Sequence, residues 1–356
     1  MITNRDLISV LRDPGRLLNY DAEQFAALMR LAHWEILSGR LADICQEKSI
    51  LEKLDPVAAE AFNDALLITK SNQQRMKFEL SRIDNALQGY GGPKILLKGL
   101  AYMAIDLPGS EGRMCSDVDF LSPRNDLREI EGLLRSHGWQ QAKTDAYDDH
   151  YYREWMHELP PMRHHKRGII VDIHHAILPP TARLKPSSTL LLSEAKDSRI
   201  EGWKVLDGPD MALHCALHTF YDGDLMGGLR GVFDFSDIMD GCVKLDSDFH
   251  RKLKRRSVEL GVIRPLAYAL RYLRLVLGDE SHKALERDVA HSLPSKPVLS
   301  LMDHLVRSMM LETSAWRREW GGWQRTCLYM RSHWLRMPPM MLAKHLMRKA
   351  FKKRTS

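Results

Sequence analysis

The residues best suited to chemistry are three aspartates in two apolar, strand-like segments. Asp117 and Asp119 stand two residues apart in SDVDFL (116–121), and Asp172 stands in GIIVDIHH (168–175). Alternate side chains of a β-strand point to one face, so the first two carboxylates project together. Like charges held that close repel unless a cation lies between them, and hard divalent cations take oxygen ligands. A lone charge in an apolar run such as the second segment is costly unless it is paired or ligated. The three aspartates therefore form a candidate site for Mg²⁺ or Mn²⁺.

Four other residues are candidates for contacts with a phosphorylated substrate. Gly99 opens a helix directly after a strand, where backbone N–H groups attract phosphate and glycine permits close approach. Lys98 either adds a point charge to phosphate or is a solvated lysine. Arg113, in a glycine-rich loop, either contacts a triphosphate, anchors the aspartates or is a surface charge. His174 shares the strand face of the third aspartate and either lines the site or packs in the core.

Two further pairs stand at helical spacing. His214 and His218 are four residues apart, as in many zinc sites, but the glutamate of the HExxH motif is absent. We interpret them as packing residues or as polar lining of a cleft. Arg230 and Asp234 are also four residues apart and are suited to a helix ion pair or to acceptor binding.

The elements that must position these residues change character along the chain. Residues 1–90 are predicted to be helical, with Asp55 and Pro56 starting one long amphipathic helix. Residues 91–180 alternate between short apolar strands and amphipathic helices, and the polar–aromatic alternation of HYYREWMHEL (150–159) predicts a further strand. Helical patterns return in residues 181–356. The fold class predicted is α+β, a small mixed-sheet core flanked by N-terminal and C-terminal helical regions.

Composition narrows the class of protein. No apolar run in the 356 residues approaches the roughly 18–20 needed to span a bilayer, and MITNRDLISVLRD lacks the apolar core of a secretory signal. A cytoplasmic protein without a transmembrane segment is expected. The five cysteines are scattered without a CxxC pair, which favours reduced thiols over a disulfide framework or a thiolate zinc site.

The net charge of +6 comes from one end of the chain. The last 13 residues hold six Lys or Arg and no acid, so the rest of the chain is balanced. The tail (344–356) is suited to a weak contact with anionic lipid or nucleic acid, or is simply a solvated terminus. The Trp-rich, basic segment 316–336 allows the same contacts, or forms the edge of a helical core.

The ordered set of LLKG (96–99), Arg113, SDVDFL and VDIHH (171–175) resembles a bacterial family of nucleotidyltransferases. That family lies within the DNA-polymerase-β-like superfamily and is often associated with exopolysaccharide gene clusters. The resemblance implies metal-dependent transfer of a nucleoside monophosphate from a nucleoside triphosphate to an unknown acceptor. The acceptor would be a sugar, a lipid-linked glycan precursor, a metabolite or a protein side chain. The resemblance implies a role in polysaccharide biosynthesis.

The same resemblance implies roles for the three carboxylates. Asp117 and Asp119 would hold the metals, and Asp172 would help to hold one of them or remove the acceptor proton. One departure matters, because Lys98-Gly99 stands where the superfamily usually has Gly-Ser or Gly-Gly. The roles of phosphate-binding residues in the better-known enzymes therefore cannot be assigned to these two residues by analogy.

Two other classes of function compete. A catalytically degenerate module would keep the fold and bind only a nucleotide or a partner, but the presence of all three aspartates argues against it. A nucleic-acid-binding protein would use the basic tail and the tryptophans, and the neutral body of the chain argues against an extended phosphate-binding surface.

Overall fold

A computed structural model describes residues 1–142, 146–223, 225, 227–314 and 322–342, without the side chains of 146–148 and 222. The basic tail lies outside the described residues, and so does the first part of the Trp-rich segment.

The N-terminal region is helical, as predicted. Its helices are α1 (Asn4–Arg12), α2 (Ala22–Trp34), α3 (Ser38–Glu47) and α4 (Pro56–Ala86). The carboxylate of Asp55 accepts hydrogen bonds from the backbone N–H groups of Val57 and Ala58, and Pro56 occupies the first helical position. This cap satisfies two of the backbone donors that a helix start leaves unpaired, which confirms the predicted start of the long helix.

The described residues contain one mixed sheet of seven short strands. They are β1 (Ile95–Leu96), β2 (Asp117–Leu121), β3 (Trp139–Gln141), β4 (Met162–His164), β5 (Ile170–His174), β6 (Lys196–Asp197) and β7 (Lys204–Val205). The order across the sheet is β3-β4-β5-β2-β1-β7-β6. β2 runs parallel to β5, and β1 runs parallel to β7, while the other neighbours are antiparallel. The α+β fold predicted from the sequence is confirmed.

The two central strands have one apolar and one polar face. Val118 and Phe120 on β2, and Val171 and Ile173 on β5, are completely buried on the apolar face. The ring of Phe120 meets that of Trp203 edge-on at 5.5 Å. Burial of this apolar face fixes the register of both strands, because a slip of one residue would turn every side chain to the opposite face. The polar residues of both strands consequently share the other face.

Three helices belong to the sheet region: α5 (Lys98–Ala104), α6 (Leu127–Ser136) and α7 (Ala146–Trp155). The strand predicted over 150–159 is wrong, since most of that segment is the helix α7. The strand that precedes β5 is β4, and it pairs with β3 and β5. The polar and aromatic residues of this segment fit the periodicity of a helix as well as that of a strand. Strands of three residues, such as β4, are too short to show a recognisable alternation.

The C-terminal region is mainly helical but also completes the sheet. Its helices are α8 (Ser188–Ser193), α9 (Gly208–Leu217), α10 (Gly228–Leu245), α11 (Phe249–Glu259), α12 (Ile263–Tyr272), α13 (Lys283–Val289), α14 (Lys296–Met310) and α15 (Trp323–Arg336). π-helical turns follow α9 and α12. β6 and β7 lie beyond residue 180 and add an edge to the sheet. Among the described helices, none combines the length and the apolar character needed to cross a membrane.

Candidate active site

The structure brings the three predicted aspartates together on the polar face of the sheet. Asp119 of β2 lies directly opposite Asp172 of β5, and Asp117 is opposite Ile170. One carboxylate oxygen from each aspartate lies within 4.8 Å of the other two. The parallel pairing of β2 with β5 produces this arrangement, because it aligns the alternation of the two strands. Atoms this close can share oxygen-ligated cations, whose bonds measure about 2.0–2.6 Å.

Asp119 is the most buried of the three and is strongly paired. Its Oδ1 accepts hydrogen bonds from Lys98 Nζ at 2.7 Å and from His174 Nε2 at 3.0 Å. Burial alone would raise the pKa of this carboxyl, but the Lys98 ammonium first and the His174 hydrogen bond next hold the pKa well below its usual range. Asp119 is therefore a fixed negative charge across the neutral pH range.

Asp172 is in the opposite electrostatic situation. Burial, followed by the negative charges of Glu158 and Asp119, raises the pKa of Asp172 to about 7 from 3.8. Its Oδ1 is buried and has no hydrogen-bond partner among the described residues. A buried carboxylate oxygen without a donor is costly. A divalent cation would satisfy this oxygen, so the donor set fits an oxygen-ligated metal.

Asp117 is half-buried. The hydroxyl of Ser116 donates to its Oδ1 at 2.8 Å. One oxygen of this carboxylate is thus oriented by the chain.

Lys98 enters the site from the start of α5. Its backbone adopts a positive φ of 51°, which costs about 1–3 kcal/mol for a residue with a side chain. Burial would lower the pKa of the ammonium, but Asp119 outweighs that effect and raises it. The charged lysine thus lies beside the carboxylates, where a phosphate group would also meet it.

The structure gives Gly99 a packing role. Gly99 is buried, and a Cβ at this position would collide with the guanidinium of Arg113 and with Sγ of Cys115. Its predicted role in phosphate binding stays a prediction.

Arg113 is buried and directed toward the C-terminal helices. Its guanidinium donates to both oxygens of Asp234 on α10, from Nε at 3.0 Å and from Nη2 at 2.8 Å, and it lies 5.0 Å from the centre of the Tyr102 ring. The surface-charge interpretation is therefore wrong. A contact between Arg113 and triphosphate stays a prediction. Asp234 is thus bound by Arg113 rather than by Arg230, one of the two roles considered for the Arg230 and Asp234 pair.

The sequence interpretation missed two residues next to the cluster, His157 and Glu158. Residues 157–159 run beside the end of β5, where the N–H of Leu159 donates to the carbonyl of Ile173 at 2.9 Å. Glu158 Oε2 lies 3.5 Å from His174 Nδ1, and the ring centres of His157 and His174 are 5.3 Å apart. No local pattern could reveal them, because only the pairing with β5 brings them to the site.

His214 of α9 is buried near the same site. Burial, and then the positive charge of Lys98, hold its pKa well below the ordinary value, so the imidazole is neutral. Its ring lies 6.5 Å from that of His218. His214 is 5% exposed, which fits both interpretations, a packing residue or the lining of a cleft.

The fold and the site define an α+β protein with clustered carboxylates on the polar face of a mixed sheet. A family model described as an uncharacterised nucleotidyltransferase matches residues 21–278. The chain belongs to this family. No curated protein matches its sequence.

Proposed function

We propose that this protein transfers a nucleoside monophosphate from a nucleoside triphosphate to an acceptor, with release of pyrophosphate. The observation that carries the proposal is the convergence of Asp117, Asp119 and Asp172 within 4.8 Å, on a chain of a nucleotidyltransferase family. The three aspartates would hold Mg²⁺ or Mn²⁺, which when bound would neutralise charge on the triphosphate and lower the pKa of the acceptor hydroxyl.

Each residue of the site has a separate proposed role. Lys98 supplies a positive charge beside Asp119 and would contact a phosphate oxygen of the substrate. His174 holds the carboxylate of Asp119 in position by its hydrogen bond. Asp172 is suited either to help hold a metal or to accept the acceptor proton, because without metal its pKa of about 7 leaves it about half ionised at neutral pH and still able to bind a proton. The acceptor oxygen then bonds to the α-phosphorus as the bond to pyrophosphate breaks.

The acceptor is proposed as a hydroxyl-bearing compound, either a sugar, a metabolite or a protein side chain. A role in polysaccharide biosynthesis is proposed on the resemblance alone. Arg113 is proposed as a positioning residue that fixes the loop before β2, since its guanidinium is engaged by Asp234.

A second candidate function is a nucleotide- or partner-binding module without catalysis. One observation favours it: the Lys98 ammonium already gives Asp119 a counter-charge at 2.7 Å. The two candidates differ in whether bound nucleotide is turned over.

The experiment is incubation with α-labelled nucleoside triphosphates and Mg²⁺, scoring pyrophosphate release and label in the protein or in added sugars and sugar phosphates. The wild type should release pyrophosphate and transfer label. Asp172→Asn should bind nucleotide with near-native affinity but transfer about 10²–10⁴-fold more slowly, which is the usual contribution of a general base. Nucleotide binding without pyrophosphate release by the wild type would favour the binding module. Unchanged transfer in Asp172→Asn would make this carboxylate structural.

A further inference from the structure

A second set of metal-binding atoms adjoins the three aspartates and has a different chemistry. It consists of His157, Glu158 and His174, and one ligand atom from each lies within 4.8 Å of the other two. Backbone pairing holds the set together, since Glu158 forms an isolated antiparallel bridge with His174 and the N–H of His175 donates to the carbonyl of His157 at 2.8 Å. Two imidazole nitrogens and one carboxylate oxygen thus converge at one place.

The hydrogen bond to Asp119 determines which nitrogen of His174 carries a proton. Asp119 is an ionised acceptor, so the proton lies on Nε2. In a neutral ring, Nδ1 then holds a lone pair, and it faces the Glu158 carboxylate at 3.5 Å. His174 is 2% exposed, and its Nδ1 makes no hydrogen bond within the described part of the chain. The Nδ1 atom and the Glu158 carboxylate are close enough to share either a proton or a metal cation.

His157 indicates which of the two occupants is favoured. It is 8% exposed, and its Nδ1 is buried with no hydrogen-bond partner in the described structure. An unprotonated imidazole nitrogen in this position can bind a metal ion. A proton on His174 would engage only Glu158, whereas a metal ion would also engage His157, whose ligand atom lies within 4.8 Å of those of the other two residues.

We propose that His157, Glu158 and His174 form a site for a transition-metal ion of the Zn²⁺ type, separate from the all-oxygen site of the three aspartates. Two imidazoles and one carboxylate suit Zn²⁺, Co²⁺ or Ni²⁺, whereas Mg²⁺ prefers oxygen ligands alone. Such an ion bound at Nδ1 of His174 fixes the other ring nitrogen as the donor to Asp119. Hydrogen bonds of this kind between a metal-bound histidine and a carboxylate orient the ring. His174 is then the residue that links the two sites.

The test measures metal content and does not depend on nucleotide transfer. The full chain is stripped with a chelator, reloaded with Zn²⁺ in a large excess of Mg²⁺, desalted and analysed for bound metal. The wild type should retain one Zn²⁺ per chain. His157→Gln should lose it, with affinity falling at least 10–100-fold, since even changes behind the ligands have effects of that size. His175→Gln is the matched control and should retain the ion. That histidine is as buried as His157, but its Nε2 is within hydrogen-bond distance of the Met156 carbonyl, at 3.1 Å.

Two other variants determine where the ion lies. Asp117→Asn removes a ligand from the carboxylate cluster, and His282→Gln removes the histidine of a third candidate set that also contains Asp240 and Asp279. Both should keep the Zn²⁺. The proposal is overturned if the wild type retains no Zn²⁺, if His157→Gln retains as much as the wild type, or if either of these two variants loses it while His157→Gln does not.

If the His157→Gln variant does not fold, two other measurements test the proposal. Glu158→Gln alters a more exposed carboxylate and should also lose the ion. X-ray absorption of the Zn²⁺- or Co²⁺-loaded wild type needs no variant and should show scattering from two imidazole rings. A spectrum with oxygen ligands alone would place the ion at the aspartates and overturn the proposal.

Discussion

At the scale of single residues, the site depends on the contrast between two aspartates that face each other across two strands. The negative charge of Asp119 is compensated by Lys98 and His174, whereas Asp172 has a buried oxygen without a hydrogen-bond partner among the described residues. The same burial that leaves Asp172 uncompensated gives it a pKa suited to proton transfer. This property can be measured through protein stability.

Asp172 should make the metal-free protein less stable as pH rises. The folded chain binds a proton here that the unfolded chain has lost between pH 3.8 and about 7, so stability falls across this window. The slope approaches 1.4 kcal/mol per pH unit at most, by order of magnitude. Chemical denaturation of wild type and Asp172→Asn over this range checks it, because the asparagine cannot ionise. The stability of Asp172→Asn relative to the wild type should rise with pH up to about pH 7 and stay constant at higher pH. A difference that does not change with pH would contradict the raised pKa.

Divalent metal should stabilise the folded chain through the carboxylate cluster. A cation that binds only the folded state adds about 2.7 kcal/mol at 100 times its dissociation constant. Thermal unfolding with and without Mg²⁺ or Mn²⁺ measures this gain, and the Asp117→Asn/Asp119→Asn double variant should lose most of it. An equal shift in both proteins would place the ion elsewhere.

At the scale of elements, the loop between α5 and β2 is fixed from several sides. Gln73 of α4 donates from its amide to the carbonyls of Ser110, Glu111 and Arg113. The Arg113 side chain crosses to α10, and Gly99 on α5 leaves the space for it. These contacts determine where β2 begins and hence where the first two aspartates lie.

Gly99→Ala should destabilise the chain because its Cβ would collide with the buried guanidinium of Arg113. A loss of roughly 1–3 kcal/mol is expected, as for overpacked cores. Gly132→Ala is the matched control, because that glycine lies within α6 with nothing within 4 Å of its Cβ. The control should gain about 0.5–1 kcal/mol through helix propensity. Urea denaturation of the three proteins gives both values, and equal stability of the two variants would contradict the packing role.

Arg113→Met should cost about 3–5 kcal/mol because it leaves Asp234 buried without its partner. The double variant Arg113→Met/Asp234→Leu should recover much of that loss, since apolar replacements of a buried pair are often tolerated. Nucleotide titration of the double variant then separates packing from substrate contact. Near-native affinity would support the positioning role, and a loss above tenfold would show that Arg113 contacts the triphosphate.

Local signals predicted the elements that carry the aspartates but not the contacts around them. Short-range sequence patterns predict the cap at Asp55, the long helix α4 and the strands β2 and β5. The pairing of Arg113 with Asp234 spans 121 residues, and the approach of Glu158 to His174 depends on an isolated backbone bridge before the start of β4. The helix α7 was predicted as a strand because its aromatic and polar residues fit either period. Long-range pairing of this kind has no local sequence signal.

At the scale of the whole molecule, contacts between distant segments join the N-terminal helices, the sheet and the C-terminal helices. Arg40 of α3 donates from Nη2 to Asp237 of α10 at 2.7 Å, next to Gly109 of the fixed loop. The polar face of the sheet therefore depends on helices from both ends of the chain. We propose that the regions 1–90, 91–180 and 181–356 fold as one cooperative unit.

Urea denaturation followed by far-ultraviolet circular dichroism and by tryptophan fluorescence should give one coincident transition, as expected for a cooperative unit. Separate midpoints for the two probes would show that the regions unfold independently.

The most direct test of the central proposal is titration of a non-hydrolysable nucleoside triphosphate analogue into the chain by calorimetry, with and without Mg²⁺. It requires no knowledge of the acceptor. The wild type should bind the analogue in a Mg²⁺-dependent manner, and the Asp117→Asn/Asp119→Asn variant should lose that dependence while Gly132→Ala keeps it. Affinity that is the same with and without Mg²⁺, or the same in the wild type and the double aspartate variant, would contradict a metal-dependent nucleotidyltransferase site at these aspartates.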